Sequence, residues 1–177
     1  MNSGDTTLTP SFRRATPEDA AAYGRISAAT FIETFGHLYP PEDLQEFLAR
    51  TCTPEACRKV LEDAGSGVWF ATLGGGEPVG FVCVGACKLP VNDLEPTAAE
   101  VRQLYVLKTH HNLRLGSQLL NTAFDWLSAI GRQPLYVGVW SENYGAQRLY
   151  ERHGFRKVGE YGFPVGKTVD REFILKR

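Results

Sequence analysis

The residue types with chemical potential are concentrated in one run, Lys108-Thr109-His110-His111-Asn112-Leu113-Arg114-Leu115-Gly116-Ser117. It follows Arg102-Gln103-Leu104-Tyr105-Val106-Leu107, an apolar stretch of strand length. It precedes Leu115, Leu119, Ala123, Leu127 and Ile130, which recur at helical spacing up to Gly131. A strand that delivers a basic, glycine-containing turn to a helix offers free N–H groups, a positive dipole end and cations. That chemistry suits a phosphate-bearing ligand; an ordinary strand-to-helix connection is the alternative. A second concentration lies in the N-terminal third, where Tyr23, Phe31, Phe35, Tyr39 and Phe47 exceed what simple packing demands. They are core residues or the wall of a ligand site. Cys52, Cys57, Cys83 and Cys87 form no Cys-x-x-Cys pair, so we expect free thiols and no metal.

The elements that must position these residues read in chain order as follows. Residues 1–9 are expected to be a loose terminus and 10–177 one domain. Residues 11–15 read as a strand. Thr16-Pro17-Glu18-Asp19 has the form of a helix start with a capping box, and the helix extends to Phe35. Residues 42–50 predict a second helix, and Thr53-Pro54-Glu55 opens a third that runs to Gly65. Residues 68–73 and 78–84 form a hairpin across Gly74-Gly75-Gly76-Glu77, and 89–98 is a loop. Glu100 opens the central strand. Residues 135–140 are a further strand, Ser141-Glu142-Asn143 caps a short helix ending at Gly154, and 155–161 and 171–175 are closing strands. This order of hairpins and crossovers predicts an α/β fold, a mixed and mostly antiparallel sheet of six to seven strands with helices on both faces.

Composition narrows the function classes. A formal net charge of −1 over 177 residues, with 43% hydrophobic residues, argues against a nucleic-acid partner. No apolar run approaches the roughly 20 residues that span a bilayer, and residues 1–9 lack a signal-peptide core. We therefore expect a cytoplasmic protein with no membrane partner.

Two motifs carry a family resemblance. Leu104-Tyr105-Val106 leads into residues 111–117, and Asn143-Tyr144-Gly145-Ala146-Gln147-Arg148-Leu149-Tyr150-Glu151-Arg152-His153-Gly154-Phe155 follows. Over nearly its whole length the chain resembles the GCN5-related N-acetyltransferase superfamily, whose pattern Asn-x-x-Ala-x-x-x-Tyr followed by Gly-Phe the second run matches. The stretch Phe31-Ile32-Glu33-Thr34-Phe35-Gly36-His37-Leu38-Tyr39 looks like the N-terminal segment of bacterial polyamine acetyltransferases of the PaiA type.

The resemblance implies acetyl-CoA as cosubstrate, no metal, and an amine acceptor. Leu104, Tyr105 and Val106 would pair with the pantetheine arm through their backbone. His111, Asn112, Leu113, Arg114, Leu115, Gly116 and Ser117 would cradle the pyrophosphate, and Asn143 and Tyr150 would lie near the thioester. The family turn reads Arg/Gln-x-x-Gly-x-Gly/Ala, so His111 and Arg114 depart from it and only Gly116 is kept. The Arg114 guanidinium could ion-pair with a phosphate instead.

Acetyl transfer to an amine requires loss of the ammonium proton, support for the oxyanion, and protonation of the departing thiolate. Tyr150 is the expected acid. Some relatives carry a Glu where this chain has Gly138, so Glu100 is the first candidate for the base, with Glu33 and His37 behind it. Glu33, Phe35 and Tyr39 are the expected acceptor-binding residues for a polyamine. Acetylation of a protein N-terminus or lysine, and a catalytically weak CoA-binding regulatory domain, are the competing readings. Monomer and homodimer remain open.

Overall fold

The strands form where β-branched and aromatic residues recur between glycine and proline breaks. The computed structural model describes residues 9–177, so of the loose terminus expected over 1–9 all but Thr9 lies outside the described residues. Among the described residues β1 (Pro10–Arg14), β2 (Gly67–Leu73), β3 (Pro78–Ala86), β4 (Ala99–Val106), β5 (Leu135–Trp140), β6 (Arg156–Val165) and β7 (Thr168–Lys176) join one sheet. Their order is β1-β2-β3-β4-β5-β7-β6. Only β4 and β5 pair in parallel, and every other neighbouring pair is antiparallel. The mixed, mostly antiparallel sheet read from the sequence is the observed one.

Helices cover both faces: α1 (Ala20–Phe35), α2 (Pro41–Thr51) and α3 (Pro54–Glu62) on one, α4 (Leu115–Ala129) and α5 (Tyr144–Arg152) on the other. The apolar stripe Leu115, Leu119, Ala123 and Leu127 of α4 packs on Trp69, Val82, Val84, Val101 and Val137. On the opposite face Tyr23 and Ile26 of α1 and Cys57 of α3 cover Phe70, Phe81 and Cys83. Both faces of β2 are therefore buried, which explains its unbroken apolar run instead of an alternating one. All four cysteines are free thiols, Cys57 and Cys83 buried. Among the described residues no helix is long and apolar enough to cross a membrane, and no group of three metal-ligating side chains converges.

Three boundaries differ from expectation for local reasons. The chain first makes a 3-10 turn, Pro17–Asp19, and α1 begins only at Ala20. Helix α3 stops at Glu62 because Asp63 accepts from the Gly65 N–H (3.0 Å) and the Ser66 hydroxyl (2.6 Å), which closes a tight turn. The final hairpin is longer than its apolar pattern, because β6 is an edge strand that tolerates Pro164 and exposed polar residues.

The start of α1 supplies a stability test. Thr16 N–H donates to Asp19 at 2.9 Å, and the Arg13 guanidinium donates to both Asp19 oxygens at 2.7 and 2.8 Å. Hydrogen bonding to Arg13 holds the Asp19 carboxyl down to about 2. Half of Arg13 is exposed, so solvent screens the pair, and Asp19→Ala is expected to cost about 1 kcal/mol at pH 7, read from denaturant midpoints. Because the folded value lies below the unfolded one, this stabilisation is full above roughly pH 4 and disappears as pH falls towards 2. Variant and wild type should then converge in stability.

Candidate functional site

Strand β4 pairs with β5 only at Ala99, Glu100 and Val101. Beyond that point β5 follows β7 to the Trp140–Glu172 pair, and β4 follows β3 to the Val106–Gly80 pair. The β5-facing edge of β4 from Arg102 to Val106 is left without a strand partner, and such backbone groups need one. A groove of about 540 Å³ runs along this edge. Leu104, Tyr105 and Val106 line it from β4, His111, Asn112, Leu115 and Gly116 from the turn and α4, and Asn143, Ala146 and Tyr150 from α5.

The turn closes on itself before α4 begins. The His111 ring nitrogen Nε2 lies 2.9 Å from the Val106 carbonyl, and the Glu33 carboxylate accepts from the Lys108 N–H at 3.0 Å. Arg114 sits in the left-handed region (φ 57°, ψ 18°) and its side chain makes no cap. The first helical bond runs from Gln118 N–H to the Arg114 carbonyl, so the N–H groups of Leu115, Gly116 and Ser117 have no intrahelical acceptor. A Cβ built on Gly116 would lie 3.6 Å from Leu149, an ordinary contact. Packing therefore does not demand glycine there, and its absent side chain leaves the helix N-terminus open to the groove. Open N–H donors at a helix start suit phosphate; Lys108 and His110 of the basic run line the groove, and Arg152 adds a cation from α5 that the sequence reading did not assign to it. Leu113, Arg114 and Ser117 do not line the groove; Leu113 is exposed and the Ser117 hydroxyl faces His153 Nε2 at 3.3 Å.

On α5, Asn143 caps the helix, its Oδ1 accepting from the Ala146 N–H at 3.1 Å. Tyr150 is buried, edge-on to Phe155 with 5.6 Å between ring centres. It is thus a core residue and a groove-lining phenol at once. Burial, then the neighbouring Tyr105 and Glu172, push its phenol above the ordinary tyrosine range. The group stays protonated at neutral pH and can donate.

Across the parting of β4 and β5 lies a second, narrower cavity of about 140 Å³. Its walls are aromatic: Phe31 stacks on Phe47 at 4.6 Å, and Phe35, Tyr39 and Phe163 complete them. Its polar lining is Glu100, Asp170 and Glu172, together with Arg102. Each carboxylate holds one donor: Lys88 N–H on Glu100 (2.9 Å), the Tyr39 hydroxyl on Asp170, and the Tyr161 hydroxyl on Glu172 (2.5 Å). The Arg102 guanidinium turns away to Ser66 Oγ and the Ala86 carbonyl, both at 2.9 Å. Phe35, Tyr39 and Glu100 therefore meet as the sequence suggested. Glu33 does not line this cavity, since its carboxylate pins the turn, and His37 is exposed outside it. Asp170 and Glu172 went unnoticed, although their spacing of two puts them on one face of a strand.

Residues 26–155 match the model of the acetyltransferase (GNAT) family. The chain belongs to the GNAT family. An uncharacterised GNAT-type N-acetyltransferase of Lactobacillus delbrueckii subsp. lactis is 27% identical over 160 residues, covering 90% of this chain and 92% of that protein. The PaiA N-acetyltransferase of Thermoplasma acidophilum, solved with coenzyme A, superposes with a TM-score of 0.77 at 16% identity, over 96% of this chain and 99% of its own. Arabidopsis thaliana NAA60, solved with a bisubstrate analogue, reaches 0.72 at 19% identity over 95% and 98%. At such identities the structural likenesses establish the fold. GNAT enzymes take their acetyl group from acetyl-CoA, and the open strand edge and uncapped α4 N-terminus fit that donor. A groove of similar volume, about 560 Å³, lies on the far side of α5 between Arg148, Arg152, Arg156 and Lys157. It reaches neither the β4 edge nor the turn.

Two substitutions separate what the fold needs from what the donor needs. Gly116→Ala is expected to fold as stably as wild type or better, because Ala is the better helix former. It should nevertheless weaken CoA binding about tenfold or more in calorimetric titration. Arg114→Gly relieves a left-handed arginine and is expected to gain about 0.5–1 kcal/mol net of the extra chain entropy, a few degrees in Tm.

Proposed function

We propose that this GNAT enzyme transfers the acetyl group directly to a primary amine, and that the amine is a polyamine. The observation that carries the reading is the aromatic-walled cavity whose three carboxylates outnumber its one guanidinium and which meets the donor groove beside Tyr150. Aromatic faces and carboxylates together attract an alkylammonium ion. Acetyl-CoA supplies an activated thioester carbonyl. The backbone of Leu104, Tyr105 and Val106 holds the donor along the free strand edge, and the turn from His111 to Gly116, with the α4 N-terminus, receives its phosphates. Asn143 keeps α5 aligned, and Tyr150 gives a proton to the departing sulfur. The Arg114 guanidinium, exposed at the rim, pairs with a phosphate from outside the groove.

Release of CoA with a panel of spermidine, spermine, hexylamine and a peptide with a free N-terminus tests the proposal. The polyamines are expected to give the highest kcat/KM. Faster turnover of the peptide would replace the polyamine with a protein acceptor, and no turnover with any amine would leave a CoA-binding domain. Tyr150→Phe should lower kcat about 10²-fold with little change in KM for acetyl-CoA. Arg114→Ala should weaken CoA binding by about 1–3 kcal/mol and flatten its salt dependence; equal affinity would make the guanidinium a bystander.

A further inference from the structure

At the floor of the acceptor cavity β5 offers no side chain. Gly138 lies there, paired with Ile174 of β7 and beyond the last β4–β5 pair, Val101–Val137. A Cβ built on Gly138 would sit 2.7 Å from the Tyr161 hydroxyl and 2.8 Å from Glu172 Oε2. The space above β5 that a side chain would fill is therefore occupied by a carboxylate and a phenol arriving from the neighbouring strands.

From this geometry we infer that Glu172 is the base that removes the proton of the acceptor ammonium. The inference rests on the transferase reading above. Glu172 lines both the acceptor cavity and the cleft that contains Asn143 and Tyr150, whereas Glu100 lines only the first. A base must reach the nitrogen where it meets the thioester, and of the three carboxylates only Glu172 lines both spaces. Tyr161 donates to its Oε2 and leaves Oε1 for the ammonium. Facing it are Asp170 on its own strand, Glu100 and the Tyr105 phenol from β4, Tyr161 from β6, the Tyr150 phenol from α5, and Tyr39, whose hydroxyl donates to Asp170. Arg102 also lines the cavity, but its guanidinium is turned to Ser66 and Ala86. Burial first, then the charges of Asp170 and Glu100, raise the Glu172 carboxyl above the ordinary glutamate range, while the Tyr161 hydrogen bond pulls it down. A raised value makes the carboxylate a stronger proton acceptor near neutral pH.

The proton and electron balance closes with the groups present. One ammonium proton passes to Glu172, and the freed nitrogen lone pair forms the C–N bond at the acetyl carbon. The C–S bond breaks with its electron pair on sulfur, which takes the Tyr150 proton. The second nitrogen proton restores the Tyr150 phenol, and Glu172 returns its proton to water. Glu100 and Asp170 line the cavity beside Glu172 and hold the cation in place.

The experiment is a pH series of kcat/KM with spermidine, or with whichever panel amine is turned over fastest, for wild type, Glu172→Gln, Glu100→Gln and Tyr161→Phe. CoA titration and circular dichroism serve as checks of folding. Glu172→Gln is expected to lose at least about 100-fold at pH 7, with CoA affinity within about twofold of wild type. The gap should narrow as pH rises towards 10, where a growing share of the amine arrives already neutral. Tyr161→Phe removes a hydrogen bond that favours the carboxylate, so the acidic limb should move upward. Glu100→Gln should mainly raise KM for the amine and keep the acidic limb. A Glu172→Gln variant within about threefold of wild type at pH 7, or an acidic limb abolished by Glu100→Gln instead, overturns the assignment. Wild-type turnover reports on the transferase reading by itself, so the two can fail separately.

Discussion

Parallel pairing of β4 with β5 stops after three residues, and the backbone groups beyond it face no strand. The parting has a cause in the sheet. The register between β3 and β4 shifts at Cys83/Val84, so that Arg102 has no partner in the β3 ladder. A bulge increases local twist and turns a strand away from its neighbour, here at the point where β4 leaves β5. Strand β5 is meanwhile held by five register pairs to β7, from Tyr136–Lys176 to Trp140–Glu172, and cannot follow. Two hydrogen-bonded halves of one sheet are thus fixed apart, and the opening exists because each half is satisfied on its other side.

That opening also brings the two cavities together. Residues facing α4 and α5 on one side of the sheet are apolar, while Glu100, Asp170 and Glu172 point to the other side, under α1 and α2. Each of the three carboxylates has a single donor from the chain, which leaves further acceptor capacity on every one. Partly satisfied acids close together are unfavourable in a low-dielectric cavity. The aromatic cluster of Phe31, Phe35, Tyr39 and Val165, roofed further by Phe47 and Phe163, supplies the packing that holds them there. In the function proposed above, an alkylammonium ion sets its charge among the acids and its methylenes against the rings.

Much of this was legible in the chain because it depends on local pattern. The stripe of α4, the capping box at Thr16 and Asp19, and the glycine hairpin after Leu73 each follow from spacing alone. The strand, turn and helix that line the larger groove were legible for the same reason, since they are contiguous, whereas two carboxylates of the second cavity were not. Asp170 and Glu172 lie in a hairpin whose strands carry little apolar alternation, and only the register with β5 brings Glu172 over Gly138. Glu33 was read as an acceptor residue because it sits between Phe31 and Phe35. Its position on the α1 surface, half a turn from both, sends it to the Lys108 N–H instead.

The same placement makes Glu33 a link between the two halves. Helix α1 presents Phe31 and Phe35 to the acceptor cavity, and with Glu33 it clamps the turn that opens α4. That turn contains two non-glycine residues with positive φ, Asn112 at 69° and Arg114 at 57°. Asparagine adopts this region readily, and arginine does so at a cost. The turn is pinned at Lys108 by Glu33 and at His111 by the Val106 carbonyl. The departure from the family glycine at Arg114 is therefore carried by contacts outside the turn. Through Glu33, the same helix that walls the acceptor cavity holds the donor cradle in register with it.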